Sequence, residues 1–161
     1  MDRIFAPWRI RYVLGPKHQG CIFCDFPEEN RDKENLILYR GELNFVIMNR
    51  YPYNPGHLLV APYRHIGDIT DLSSDELADM MEKLSTAEKV IRKVMEPDGF
   101  NIGINVGSVA GAGMEEHLHA HIVPRWDGDT SFMPVFGDVQ VVPEALEETY
   151  DKLKEGFENS K

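Results

Sequence analysis

Short runs rich in β-branched and aromatic residues recur along the chain, at Leu36 to Tyr39, Phe45 to Met48, His57 to Ala61, Asn101 to Val106 and His117 to Val123. They predict five strands. Arg40 to Asn44 separates the first two and Arg50 to Gly56 the second and third, lengths that suit antiparallel neighbours. Between the third and fourth runs the apolar period changes. Leu77, Met80, Met81, Leu84, Ala87, Val90, Ile91 and Val94 fall at helical spacing and predict one long amphipathic helix with that stripe in the core. Ser73 and Glu76 have the spacing of a capping box, and Pro97-Asp98-Gly99 stops the helix after Met95. A second helix is expected over 143–157, where Leu146, Tyr150, Leu153 and Phe157 repeat every three or four residues behind Pro143. No repeat, low-complexity tract or linker divides the chain. The expected architecture is therefore one α+β domain over 1–161, a five-stranded antiparallel sheet with one long helix and a C-terminal helix, entered through an N-terminal arm over 1–20.

Composition narrows the partners. No apolar run approaches the roughly 20 residues that span a bilayer, so no membrane partner is expected. Met1 to Arg9 lacks the apolar core of a secretory signal, which places the chain in the cytoplasm. A formal net charge of −10 argues against a nucleic-acid polymer, whose phosphates call for concentrated Lys and Arg, and leaves room for a small nucleotide. Arg3, Arg9, Arg11 and Lys17 stand against Asp2 alone in the arm, which suits contact with a polyphosphate or a merely solvated segment. Trp8 beside Arg9 fits a base to stack on or a place in the core. The two cysteines, in Cys21-Ile22-Phe23-Cys24, have a spacing that in a reducing compartment means metal or redox chemistry more often than a structural disulfide.

The candidate chemistry concentrates in Glu116-His117-Leu118-His119-Ala120-His121-Ile122-Val123. As a strand it would put three imidazoles on one face and Leu118, Ala120 and Ile122 on the other. At about 3.3 Å per residue, His117 and His121 would stand roughly 13 Å apart, too far for one metal to take both easily. The histidines must divide their labour. An imidazole titrating near ~6.5 can serve as nucleophile, acid or hydrogen-bond donor at neutral pH, and phosphate chemistry uses all three roles. No P-loop signature is present, so the nucleophile is sought among the histidines. Upstream, Asn105 to Gly113 is a glycine-rich connection whose N–H groups could face a phosphate.

His117 to Val123, together with Phe45 to Asn49 and Arg50-Tyr-Pro-Tyr-Asn-Pro-Gly-His57-Leu-Leu-Val60, resembles the histidine triad family of nucleotidyl hydrolases and transferases over roughly residues 20 to 126. That resemblance implies His119 as the nucleophile on an α-phosphorus, forming a nucleotidyl-histidine, with a backbone carbonyl holding its second ring nitrogen. It implies His121 against phosphate oxygens, Asn49 on the ribose, and Asn105, Gly111 and Gly113 near the phosphates. Ile22, Phe23 and Phe45 would flank the base. It further implies a structural zinc on Cys21, Cys24, His65 and His117, with His57 the competing third ligand but read as a hydrogen-bonding support. His18 takes no role. Gly113 departs from the hydrolase branches, which carry Gln or Ser at that position. Phe5-Ala6-Pro7-Trp8-Arg9 and Arg125-Trp126 instead look like the bacterial diadenosine tetraphosphate phosphorylase branch. The resemblance thus implies a dinucleoside polyphosphate as substrate, water or phosphate as acceptor, and a homodimer or higher homo-oligomer. An adenosine phosphoramidate hydrolase and a non-catalytic zinc-stabilised nucleotide-binding module are the alternatives.

Overall fold

The structure is a computed structural model that describes residues 18–129 and 144–160; the arm over 1–17, including Trp8, Arg9 and Arg11, lies outside the described residues, as does Pro143. Two short helices come first, α1 (Ile22–Glu29) and α2 (Asp32–Asn35). Then follow β1 (Ile37–Arg40), β2 (Asn44–Met48) and β3 (Leu58–Pro62), the long helix α3 (Ser74–Met95), β4 (Gly99–Ile104), β5 (Ala120–Arg125) and the C-terminal helix α4 (Leu146–Glu158). The five strands form one open antiparallel sheet in the order β1-β2-β3-β5-β4. The expected α+β arrangement is present, with four α-helices among the described residues where two were expected. Among the described residues no helix is long and apolar enough to cross a membrane.

Helix α3 begins as its sequence dictates. Ser73 Oγ accepts from Glu76 N–H at 3.2 Å, and the Glu76 carboxylate accepts from Ser73 N–H at 2.8 Å, which satisfies two orphan donors of the first turn. The helix ends at Met95 with Glu96 in the left-handed region, one residue before Pro97. Met80, Leu84, Ala87, Val90 and Ile91 are buried in the core, Val90 on the side that meets Gly156 of α4. Leu77 and Met81 correct the sequence reading: Met81 is 64% exposed and Leu77 37%. The apolar stripe is therefore wider than the surface that the described residues cover.

The two edges of the sheet are treated differently. Helix α4 lies along β1, burying Tyr150, Leu153 and Phe157, and its Tyr150 hydroxyl and Lys154 ammonium donate to the Ile37 and Leu38 carbonyls, both at 3.0 Å. Among the described residues β4 pairs only with β5, and Ile102 on it is 47% exposed.

Strand boundaries shift where other contacts outcompete the ladder. Leu36 has φ 63°, closing α2, so β1 starts one residue later than expected. The strand expected over Asn101 to Val106 forms earlier, at Gly99–Ile104. The histidine strand forms at Ala120–Arg125 rather than from His117, because β3–β5 pairing stops at Val60↔Ala120. Beyond that point Leu118 N–H bonds instead to Ile66 O at 2.5 Å, in the segment that leaves β3.

Candidate active site and metal centre

Cys21 is the N-cap of α1 and Cys24 sits in its first turn, bonded through its N–H to Cys21 O at 3.0 Å. Residues three apart on a helix share a side, so the turn brings both thiols to one point. That point faces the histidine segment. Cys21 Sγ lies 3.2 Å from His117 Nδ1, and Cys24 Sγ lies 3.5 Å from the same atom and 3.4 Å from His65 Nδ1. The two Nδ1 atoms are 3.2 Å apart. All four ligand atoms fall within 4.8 Å of one another, so Cys21, Cys24, His65 and His117 could hold a metal ion.

The fit to a tetrahedral cation is good on two counts. With metal–sulfur and metal–nitrogen bonds of about 2.3 and 2.0 Å, tetrahedral ligands stand roughly 3.3–3.8 Å apart, close to the observed spacings. The buried His117 ring also donates from Nε2 to Pro62 O at 2.8 Å, which turns the Nδ1 lone pair toward the cluster. Such a carbonyl is the usual device for orienting a metal-binding imidazole. Without a cation, burial and the neighbouring Cys21 push the Cys24 thiol up to about 11, so metal binding there would release a proton.

The next histidine carries the opposite tautomer. His119, 6% exposed, donates from Nδ1 to the carbonyl of His117 at 2.8 Å, which leaves its Nε2 lone pair unused. Burial holds its pKa below the ordinary imidazole value, so the ring is neutral at pH 7.

His121 is set through His57. The N–H of Tyr53 donates to His57 Nδ1 at 3.1 Å and the Asn49 amide approaches the same nitrogen at 3.3 Å, so His57 Nδ1 is an acceptor and its proton is on Nε2. That Nε2–H then donates to His121 Nδ1 at 2.9 Å, which places the His121 proton on Nε2. This last atom is buried and has no partner among the described residues. An unpaired buried donor costs about 1–3 kcal/mol, and a phosphate oxygen would satisfy it. Burial and neighbouring imidazoles lower His57 to about 3 and His121 to about 4, so both rings are neutral under ordinary conditions.

Phe23 separates the two groups. Its buried ring packs 5.2 Å from the His117 ring and 4.8 Å from that of His119, while the His119 and His121 rings are 4.9 Å apart. Of the residues expected to flank a base, only Ile22 is partly open. Phe45 is fully buried and stacks on Tyr63. Asn49 is half-buried, and its Oδ1 accepts from Tyr51 N–H at 2.9 Å. Asn105 and Gly111 are brought together at 3.4 Å, and the turn after Gly107 uses the N–H groups of Ala110, Gly111 and Ala112 for its own closure. Gly113 is exposed, with open space where a side chain would begin. His18 pairs with Asp25 at 2.6 Å and is not among the four clustered ligand residues. The contributions of Pro62, as the carbonyl that orients His117, and of Tyr53 were not read from sequence. Backbone groups leave no residue-type signal.

The sequence pattern of the HIT domain matches residues 30–128. The chain belongs to the histidine triad family. Within that family it is 39% identical over 157 residues to the AP-4-A phosphorylase of Mycobacterium tuberculosis, covering 92% of this chain and 80% of that protein. It is 38% identical over 95 residues to the asymmetrical bis(5'-nucleosyl)-tetraphosphatase of Schizosaccharomyces pombe, covering 59% and 52% respectively. Among solved structures, a zinc-bound histidine triad family protein from Mycobacterium smegmatis superposes with a TM-score of 0.70 at 29% identity, covering 87% of this chain and 94% of that one.

Proposed function

We propose that this histidine triad protein cleaves a dinucleoside polyphosphate of the diadenosine tetraphosphate class at its α-phosphorus, and that the observation carrying this reading is the paired tautomers of His119 and His121. Nε2 of His119 has a lone pair and no proton; Nε2 of His121, one ring away, has a proton and no acceptor among the described residues. The His119 lone pair forms the N–P bond as the bridging P–O bond breaks, and the leaving nucleotide departs with that electron pair. His121 donates to a phosphate oxygen, whose negative charge grows in the transition state. Phosphate or water then attacks the nucleotidyl-histidine and restores the His119 lone pair. In this reading Asn49 serves the ribose, Ile22 the base with Phe23 and Phe45 behind it, and Asn105, Gly111 and Gly113 the phosphates. The basic composition around Trp8, Arg9 and Arg11 suits a substrate with a long phosphate chain. Names of relatives on both the phosphorolytic and the hydrolytic side support the substrate class.

Cys21, Cys24, His65 and His117 hold a structural zinc in the same reading. Four protein ligands leave no place for an activated water, so the ion's part is to tie α1 to the histidine segment. The protein works as a homodimer through the open edge. Phe100 lies under the Arg92 guanidinium at 4.9 Å, Met81 is three helical turns before Arg92, and Ile102 shares the strand face of Phe100; Met81 and Ile102 are both exposed. Pairing β4 with its copy would complete the ladder and cover Ile102, Met81 and Leu77 together.

The test is incubation with diadenosine tetraphosphate with and without inorganic phosphate, followed by identification of the nucleotides. Phosphate-dependent ADP alongside ATP supports phosphorolysis, and AMP plus ATP regardless of phosphate supports hydrolysis. No cleavage, with turnover of an adenosine phosphoramidate or with nucleotide binding alone, overturns the substrate class.

A further inference from the structure

The segment from Pro62 to Gly67 touches the histidine stretch at several points. Pro62 O holds the His117 ring, Ile66 O receives Leu118 N–H, and Gly67 presses so closely on the next turn that an added Cβ would lie 3.0 Å from Glu115 O. His65, in the middle, is exposed, and among the described residues its ring makes hydrogen bonds only through Nδ1, toward Cys24 and His117. His117 has a carbonyl to fix its ring. His65 has none, so its position depends on its backbone.

Immediately before it, Arg64 reaches to the start of α3. Its Nε donates to Glu76 Oε1 at 2.9 Å and its Nη2 to Glu76 Oε2 at 2.7 Å, while Nη2 also donates to Asp71 O at 2.9 Å. Glu76 is itself held by the capping box and its side chain is only 9% exposed. Isolated surface ion pairs contribute little to stability, but a bidentate guanidinium–carboxylate pair with one partner fixed supplies direction as well as charge.

We propose that the Arg64–Glu76 pair is the positioning clamp of the metal centre: it anchors the backbone carrying His65, the one imidazole ligand without a hydrogen bond on its second nitrogen, and so sets metal affinity. This rests on the zinc reading above. The rigid first turn of α3 is thereby connected to a ligand that belongs to a loop, and the clamp acts through His65 rather than by touching the ion.

Cobalt(II) and zinc(II) affinities of the full chain test it, read by the cobalt–thiolate absorption and by competition with a chelator. Arg64→Gln and Glu76→Gln should each weaken binding by about tenfold, the lower range for groups that orient ligands, with Arg64→Lys in between because it keeps the charge and loses the fork. Glutamine at 76 retains a capping side chain, and Ser73→Ala removes the cap while leaving the clamp, so Ser73→Ala should bind metal like the unaltered chain. Unchanged affinity in Arg64→Gln and Glu76→Gln overturns the proposal, as does an equal loss in Ser73→Ala, which would assign the effect to helix stability. If the unaltered chain binds neither metal, the zinc reading falls and the clamp with it.

Discussion

His117 and His119 are two residues apart, share the Phe23 ring and are both buried, yet they present opposite nitrogens for use. The difference comes from two backbone carbonyls. Pro62 O takes the Nε2 proton of His117 and leaves its Nδ1 lone pair toward the cysteine cluster; His117 O takes the Nδ1 proton of His119 and leaves the lone pair on Nε2. Identical side chains two positions apart thus acquire different chemistry from where the chain places its acceptors, and each group can be disabled while the other is watched.

The largest effect is expected at His119, the proposed nucleophile. His119→Ala should lower turnover of diadenosine tetraphosphate by about 10⁴-fold or more while metal content and melting temperature stay close to those of the unaltered chain. Residual activity within tenfold would move the nucleophile elsewhere. The reverse pattern is expected at the metal cluster. Cys24→Ser, or removal of the ion by a chelator, should lower stability by about 4 kcal/mol relative to protein held at a thousandfold excess of metal over its Kd, while turnover of the still-folded fraction changes by less than tenfold. Denaturant unfolding with and without metal reads this, and an equal stability in both conditions would contradict it.

His57 sharpens the comparison because it acts through a neighbour. Removing it in His57→Ala takes away the donor to His121 Nδ1, so the His121 proton is free to sit on either nitrogen. Turnover should fall about 10²-fold with KM little changed, as for loss of one transition-state donor. An unchanged kcat would show that the tautomer needs no such support.

The smallest effect concerns pH. The folded values of His57, about 3, and His121, about 4, lie below the ~6.5 of an unfolded imidazole. Their contribution to stability is therefore complete above about pH 6.5 and is lost as pH falls toward the folded values. Each group contributes a decline of about 1 kcal/mol per pH unit between roughly pH 6 and 4.5, about 2 for the pair, and it should shrink toward the single-group value in His57→Ala. A flat profile over that window would contradict burial of neutral imidazoles.

Much of this arrangement was legible in the chain. The capping box at Ser73 and Glu76 and the strand runs carry their own local signals, and the four-ligand set and the order of the histidines followed from the family motif. What escaped depends on tertiary contact. The helix that puts Cys24 beside Cys21 is too short to show a period, and Leu36 adopts a conformation that no apolar residue advertises. Leu77 and Met81 read as core because periodicity reports a face without saying what covers it. The glycine-rich loop offered N–H groups on paper, but three of them close its own turn. The acceptor of the reaction is similarly hidden. Space is open at Gly113, where the hydrolase branches carry Gln or Ser.

The division between His117 and His119 is tested most directly by quenching the reaction in alkali during the first turnovers with labelled diadenosine tetraphosphate and mapping the label by mass spectrometry, since an N-linked nucleotide survives base. The label is predicted on His119 in the unaltered chain and in Cys24→Ser, and absent in His119→Ala. Label on His117 or His121, or products formed at full rate with no labelled protein under conditions that trap a control nucleotidyl-histidine, would contradict the account.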